Sequence, residues 1–141
     1  MNASTTPAVL GYAPMDAVHL EFDGLVARAL GCTDDELLSC LQRLQAHLLS
    51  HFGQEDSWMR GTGFPAADCH VEEHGRVLIS AAEVLALVAR GDLKVGRSFA
   101  AELAQWFPGH ADYLDSALAA WMCKRQFGGT PIVLHPRRSR N

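Results

Sequence analysis

The most restrictive feature of this chain is the stretch from Asp34 to about Arg60, which contains no proline and a single glycine, Gly53. Along it Leu37, Leu38, Leu41, Leu44, Leu48, Leu49 and Phe52 recur at the three- and four-residue intervals that align side chains on one face of a helix. Strand-like alternation of apolar and polar residues is absent from the whole sequence. Thr33, with Glu36 three residues on, has the form of a capping box that starts a helix, and GTGFP at 61–65 breaks it. A helix with one apolar stripe gains its stability by burying that stripe against partners.

The rest of the chain supplies those partners. One helix is predicted from about Pro14 or Met15 to Leu30, stopped by Gly31. Another starts near Ala66 and runs through Val77, Leu78, Ala81, Leu85 and Val88 to Arg90, before a Gly91-Asp92 turn. The last extends from about Val95 to Phe127, interrupted by Pro108 and Gly109. Proline within a helix removes one backbone bond and crowds the preceding turn, which predicts a kink near Pro108-Gly109. Four helices with short connections predict an all-α fold, an up-down-up-down four-helix bundle. The expected organisation is an N-terminal arm (1–13), the bundle (14–127) and an irregular basic tail (128–141). That tail contains a solvated His135 and the solubilising Arg137, Arg138 and Arg140.

Composition narrows the partners. A net charge of −4 and a pI near 5.9 argue against nucleic-acid binding by the folded part. No apolar run approaches the ~20 residues a membrane span needs. The N-terminal sequence lacks the basic start and apolar block of an export signal. Cys32, Cys40, Cys69 and Cys123 form no CxxC pair; most fall within helical patterns and read as small buried thiols, and a reducing, cytoplasmic compartment fits best. Cys69 differs in lying beside His70, where its oxidation would disturb a metal site.

Seven histidines are many for 141 residues, and their placement matters more than their number. His19 lies on the first helix, His51 and Glu55 form HxxxE on the second, and His70 and His74 form HxxxH on the third. His110 and Asp115 form HxxxxD on the fourth, so every helix brings at least one metal-competent side chain. A spacing of four projects both groups from one face. A spacing of five separates them by about 140° on a regular helix. Either one of His110 and Asp115 points elsewhere or the helix is locally wider, as in a π-type turn induced near Pro108 and Gly109. Histidines and carboxylates buried together on four helices would be costly without a metal.

The third segment also reads HxxEH (His70, Glu73, His74), the inverted zinc-hydrolase motif in which Glu73 would be the general base. That alternative leaves His19, His51, Glu55, His110 and Asp115 unexplained. It also needs a substrate cleft that a compact bundle hardly provides.

The segments MDAVHLEF (15–22), HFGQEDSWM (51–59), HVEEH (70–74) and WFPGHADYLD (106–115) closely resemble the hemerythrin family, in its order and one per helix. The resemblance covers about residues 10 to 125. It implies a non-haem centre of two iron ions with an oxo or hydroxo bridge. By it, His70, His74 and His110 bind one iron, His19 and His51 the other, and Glu55 and Asp115 bridge the pair. Two octahedral irons need roughly twelve donor positions; five imidazoles, two bridging carboxylates and one bridging oxygen supply about eleven. The remaining position, on the iron with two histidines, is where dioxygen is expected. Ferritin-like oxidases use mainly carboxylates. Here imidazoles dominate, and fewer anionic ligands favour holding oxygen over splitting its bond.

By the same resemblance, Trp106, Phe107 and Ala111 line the oxygen pocket. Ala111 is smaller than the bulky aliphatic residue typical there, so either the pocket opens to solvent or Phe107 fills the space. His47 reads as a surface or supporting histidine, or else as a substitute ligand. Glu72, Glu73, Asp56 and Asp112 read as outward-facing charges, with Glu73 alternatively orienting a neighbouring ligand. Trp58, Met59, Trp121 and Met122 read as packing residues. The expected function is reversible dioxygen binding for storage, delivery or transport, with dioxygen as partner and no enzymatic turnover. The rivals at the same site are oxygen or redox sensing and the handling of nitric oxide, peroxide or iron.

Overall fold

The computed structural model describes residues 9–126. The tail expected from residue 128, with His135 and its arginines, and most of the N-terminal arm lie outside the described residues. Four helices, α1 (Ala13–Gly31), α2 (Asp34–Thr62), α3 (Ala67–Ala89) and α4 (Leu93–His110), follow one another with short connections. A π turn over Ala111–Asp115 carries α4 directly into α5 (Ser116–Gln126), so these segments form one fourth helix of the bundle. No strand occurs among the described residues. Helix α1 packs on α2, α2 on α3, α3 on α4, and α4 back on α1, closing an up-down-up-down four-helix bundle.

Local chemistry sets the helix ends. Pro14 lies in the first turn of α1, where a missing N–H costs nothing. The Asp16 carboxylate folds back to accept from the backbone N–H groups of Leu10 (2.8 Å) and Gly11 (3.1 Å). Thr33 starts α2, and the Glu36 carboxylate accepts from the Thr33 N–H at 3.3 Å. Gly63 ends that helix at φ 67°, a left-handed conformation that suits glycine. Helix α4 begins at Leu93, slightly earlier than its apolar pattern suggests, because Asp92 caps it by accepting from the Val95 N–H at 3.2 Å.

The distortion expected near Pro108 takes the form of the π turn. Pro108 sits inside α4, and beyond it the Ser116 N–H reaches the Ala111 carbonyl, five residues back. A five-residue hydrogen-bond step needs about one more residue per turn than an α-helix, so residues five apart come round to the same face. His110 and Asp115 are accordingly both buried.

The core has three parts along the bundle axis. One apolar cluster holds Phe22, Leu41, Leu44, Leu48, Phe52 and Phe107 among others; a second holds Met15, Met59, Phe64, Ala67, Leu118 and Ala119. Between them, by sequence order on each helix, lie His19, His51, Glu55, His70, His74, His110 and Asp115, all buried. A polar layer is thus clamped between two apolar ones, with no side open to bulk water.

Candidate metal centre

The interior face of each helix delivers its polar residues to this layer. His19 follows Met15 by one turn on α1, and Glu55 lies one turn beyond His51 and one before Met59 on α2. The same apolar stripe that buries Met15, Phe22, Phe52 and Met59 therefore carries the donors inward. His70 and His74 do the same on α3, and the π turn brings Asp115 alongside His110.

All seven predicted residues converge, in two groups whose donor atoms lie within 4.8 Å of one another. One comprises Glu55, His70, His74, His110 and Asp115; the other comprises His19, His51, Glu55 and Asp115. Both carboxylates belong to both groups, and each offers one oxygen to each. Glu55 Oε1 lies 3.2 Å from His74 Nε2 and 3.6 Å from His70 Nε2, while its Oε2 lies 3.1 Å from His51 Nε2 and 3.6 Å from His19 Nε2. Asp115 Oδ1 lies 3.0 Å from His70 Nε2 and 3.2 Å from His110 Nε2, and its Oδ2 lies 3.1 Å from His19 Nε2.

These short distances are largely not hydrogen bonds. Both Asp115 oxygens, Glu55 Oε1 and His19 Nε2 are buried without a hydrogen-bond partner. The lone pairs aim at points between the groups instead of at one another. His110 Nε2 stands 3.3 Å from the Nε2 atoms of both His70 and His74. Donors bound at about 2.0–2.1 Å from one ion, at angles between about 90° and 109°, lie roughly 2.9–3.4 Å apart. Neutral imidazole nitrogens converging in this way repel unless a cation sits among them. The donor set, its spacing and its orphaned atoms all fit metal ions.

Electrostatics agrees. Burial works to lower the His19 pKa, but the Asp115 and Glu55 carboxylates beside it outweigh burial and raise it to about 9. Burial pushes Glu55 up, yet contacts with His19, His51 and His74 hold it at about 2. Asp115 is likewise held well below the usual carboxylate range, since the imidazoles of His110, His19 and His70 overcome its burial. His74 is raised, burial being outweighed by Glu55 and Asp56. The carboxylates are therefore ionised and demand positive charge, whether from protons or from metal.

Several side chains stand elsewhere than the sequence suggests. Asp56, expected to face outward, places Oδ1 2.8 Å from His74 Nδ1, on the outer edge of that ring. Glu73 takes the orienting role weighed for it: its Oε2 accepts from Trp106 Nε1 at 2.9 Å and lies 3.4 Å from His110 Nδ1. A carboxylate behind a metal-ligating imidazole is a recurrent requirement, but helical spacing from the motifs cannot reveal which acid meets which ring. Glu72 and Asp112 are exposed, as expected. His47 is buried, outside both donor groups, with Nδ1 3.3 Å from Glu21 Oε1 and its ring 5.1 Å from that of His51. Burial and the neighbouring His51 lower its pKa. Cys69 is exposed.

Of the expected pocket residues, Phe107 packs its ring on Phe22 (4.4 Å) and edge-on against His19 (4.9 Å). Ala111 has no exposed surface, so no opening to solvent forms at its side chain. Trp106 packs on His110, 4.4 Å away, and lines a surface groove of about 380 Å³ between α3 and α4. No helix among the described residues is long and apolar enough to cross a membrane.

The fold and site define a four-helix bundle that gathers five histidines and two shared carboxylates into a buried cation-binding core. The chain belongs to the hemerythrin family: the family description Hemerythrin HHE cation binding domain matches residues 10–122. It is similar to Bacteriohemerythrin from Ralstonia nicotianae, with 35% identity over 116 residues covering 82% of this chain and 85% of that protein.

Proposed function

We propose that this chain holds two iron ions and binds dioxygen reversibly, serving in the cytoplasm to store, deliver or transport oxygen. The observation that carries the proposal is the division of each carboxylate, one oxygen to each donor group. Glu55 and Asp115 are suited to bridge two ions, with His70, His74 and His110 on one and His19 and His51 on the other. When bound, a pair of ferrous ions would supply the electrons for holding dioxygen. The chain's own contribution is confinement. Phe22 and Phe107 give the two-histidine side apolar walls, and the apolar clusters above and below exclude water. Membership of the hemerythrin family supports this reading.

The zinc-hydrolase alternative is less well supported. Its general base would be Glu73, whose carboxylate is turned to Trp106 and the outer Nδ1 edge of His110, away from the converging Nε2 atoms. Sensing and peroxide or nitric oxide handling use the same donors but have no additional observation in their favour.

The deciding experiment is the visible spectrum of anaerobically reduced, iron-loaded protein as oxygen is admitted and then withdrawn. A charge-transfer band that appears and disappears over repeated cycles is expected of an oxygen carrier. Irreversible conversion to a ferric spectrum on first exposure would refute carriage and favour redox sensing or defence.

A further inference from the structure

Of the five converging imidazoles, two have a carboxylate behind them. His74 Nδ1 is backed by Asp56 at 2.8 Å, and His110 Nδ1 by Glu73 at 3.4 Å, with Trp106 fixing the Glu73 carboxylate at 2.9 Å. Both rings belong to the three-histidine group. The two-histidine group has nothing comparable. The Nδ1 atoms of His19 and His51 are buried without a hydrogen-bond partner. Around those two rings stand Phe22, Phe107 and His47. On that side Glu21 stops at His47, and Asp23 feels the charge of His19 without hydrogen-bonding to its ring.

We propose that Asp56 and Glu73 are positioning residues that make the two metal positions unequal: the three-histidine position fills first and empties last, and the two-histidine position is labile. This rests on the two-metal reading above. The physical cause lies in the hydrogen bonds. A carboxylate accepting from Nδ1–H fixes the tautomer with its Nε2 lone pair inward, locks the ring and makes that nitrogen a stronger donor. Two such pairs place carboxylates in direct contact with the outer ring nitrogens at one position only. Behind their Nδ1 edges, His19 and His51 meet only ring packing, which holds orientation but adds no electron density. The two-histidine position is therefore the one whose ion would exchange without dismantling its neighbour.

The test is chelator-driven metal release from the metal-loaded full-length protein, followed through the absorbance of a chromogenic chelator. Wild type is expected to release its ions in two phases of equal amplitude. Asp56→Ala and Glu73→Ala accelerate the slow phase by roughly 10- to 100-fold and leave the fast phase unchanged. Asp56→Asn, whose amide oxygen still accepts from Nδ1–H without the charge, falls between wild type and Asp56→Ala. This ordering separates positioning from general loosening of the bundle, and Glu73→Gln serves likewise if the alanine variant folds poorly. Glu21→Gln, behind His47, changes neither phase. Acceleration of the fast phase instead, or of neither, overturns the assignment. Release of a single ion, in one phase that these variants accelerate, supports the positioning roles and sinks the two-metal reading.

Discussion

Removing the metal makes the stability of this bundle depend on protons, and the sign of that dependence follows from its pKa values. Without a cation, the ionised Glu55 and Asp115 are neutralised by protonated histidines, foremost His19, whose pKa rises from 6.5 to about 9. A histidine raised on folding stabilises fully below its unfolded value of 6.5, and that contribution disappears as pH climbs through about 9. At ~1.4 kcal/mol per pH unit the rise corresponds to roughly 3 kcal/mol. The depressed Glu55, held at about 2 from 4.5, reports the same contacts from the acid side, so the two are not added. Its contribution is present above pH 4.5 and fades as pH falls through about 2. His74 shifts in the same direction as His19. His47, lowered by burial, acts oppositely and removes some stability as pH drops below 6.5. The metal-free protein is therefore expected to be most stable near pH 6 and to lose about 3 kcal/mol by pH 9. Urea unfolding followed by circular dichroism reads this as a midpoint falling by ~1–3 M, given m-values of ~1–3 kcal/mol/M. Metal takes the place of the proton at the Nε2 atoms, so the loaded protein should be nearly flat over the same range. A metal-free protein whose midpoint is constant or rises between pH 6.5 and 9 would refute the account.

Other perturbations are equally specific. Glu55→Ala removes one oxygen from each donor group, and metal analysis should find fewer than two ions per chain; two retained ions would sink the proposed ligand set. Gly96→Ala builds a Cβ 2.6 Å from Val88 Cγ2 and 3.0 Å from Leu41 Cδ1. Overpacking of ~1–3 kcal/mol then outweighs the ~1 kcal/mol of helix propensity gained. A net loss of about 1 kcal/mol is expected in urea unfolding, and it should shrink in a Val88→Ala background, which removes the closest of the contacts. Phe107→Ala deletes a buried ring packed on Phe22 and His19 and should cost ~3–5 kcal/mol. It should also shorten the oxygenated lifetime by admitting water; an unchanged lifetime would show that Phe107 does not seal the site.

Much of this molecule is determined by sequence alone, because helical periodicity and Gly/Pro punctuation are local. The Leu37 to Phe52 stripe, the Thr33–Glu36 cap and the GTGFP break mark α2, and HxxxE and HxxxH put their donors on one face, since positions four apart lie above one another on any α-helix. The HxxxxD spacing left two alternatives, a residue pointing elsewhere or a locally wide helix, and the π turn at Ala111–Asp115 supplies the second. What surrounds those donors is a different matter. Asp56 and Glu73 are acids on partly exposed helix positions; in the sequence Asp56 reads as a solvated charge, and an orienting role is open only to Glu73, without its ring. Only the packing of α2 against α3, and of α3 against α4, sets one behind His74 and the other behind His110. Likewise the sequence left Ala111 open to two outcomes, and its full burial within the packed bundle leaves no opening at its side chain. Side-chain direction along one helix follows from its own geometry, but contact between helices depends on how neighbouring surfaces interlock, and no spacing within a single segment encodes that.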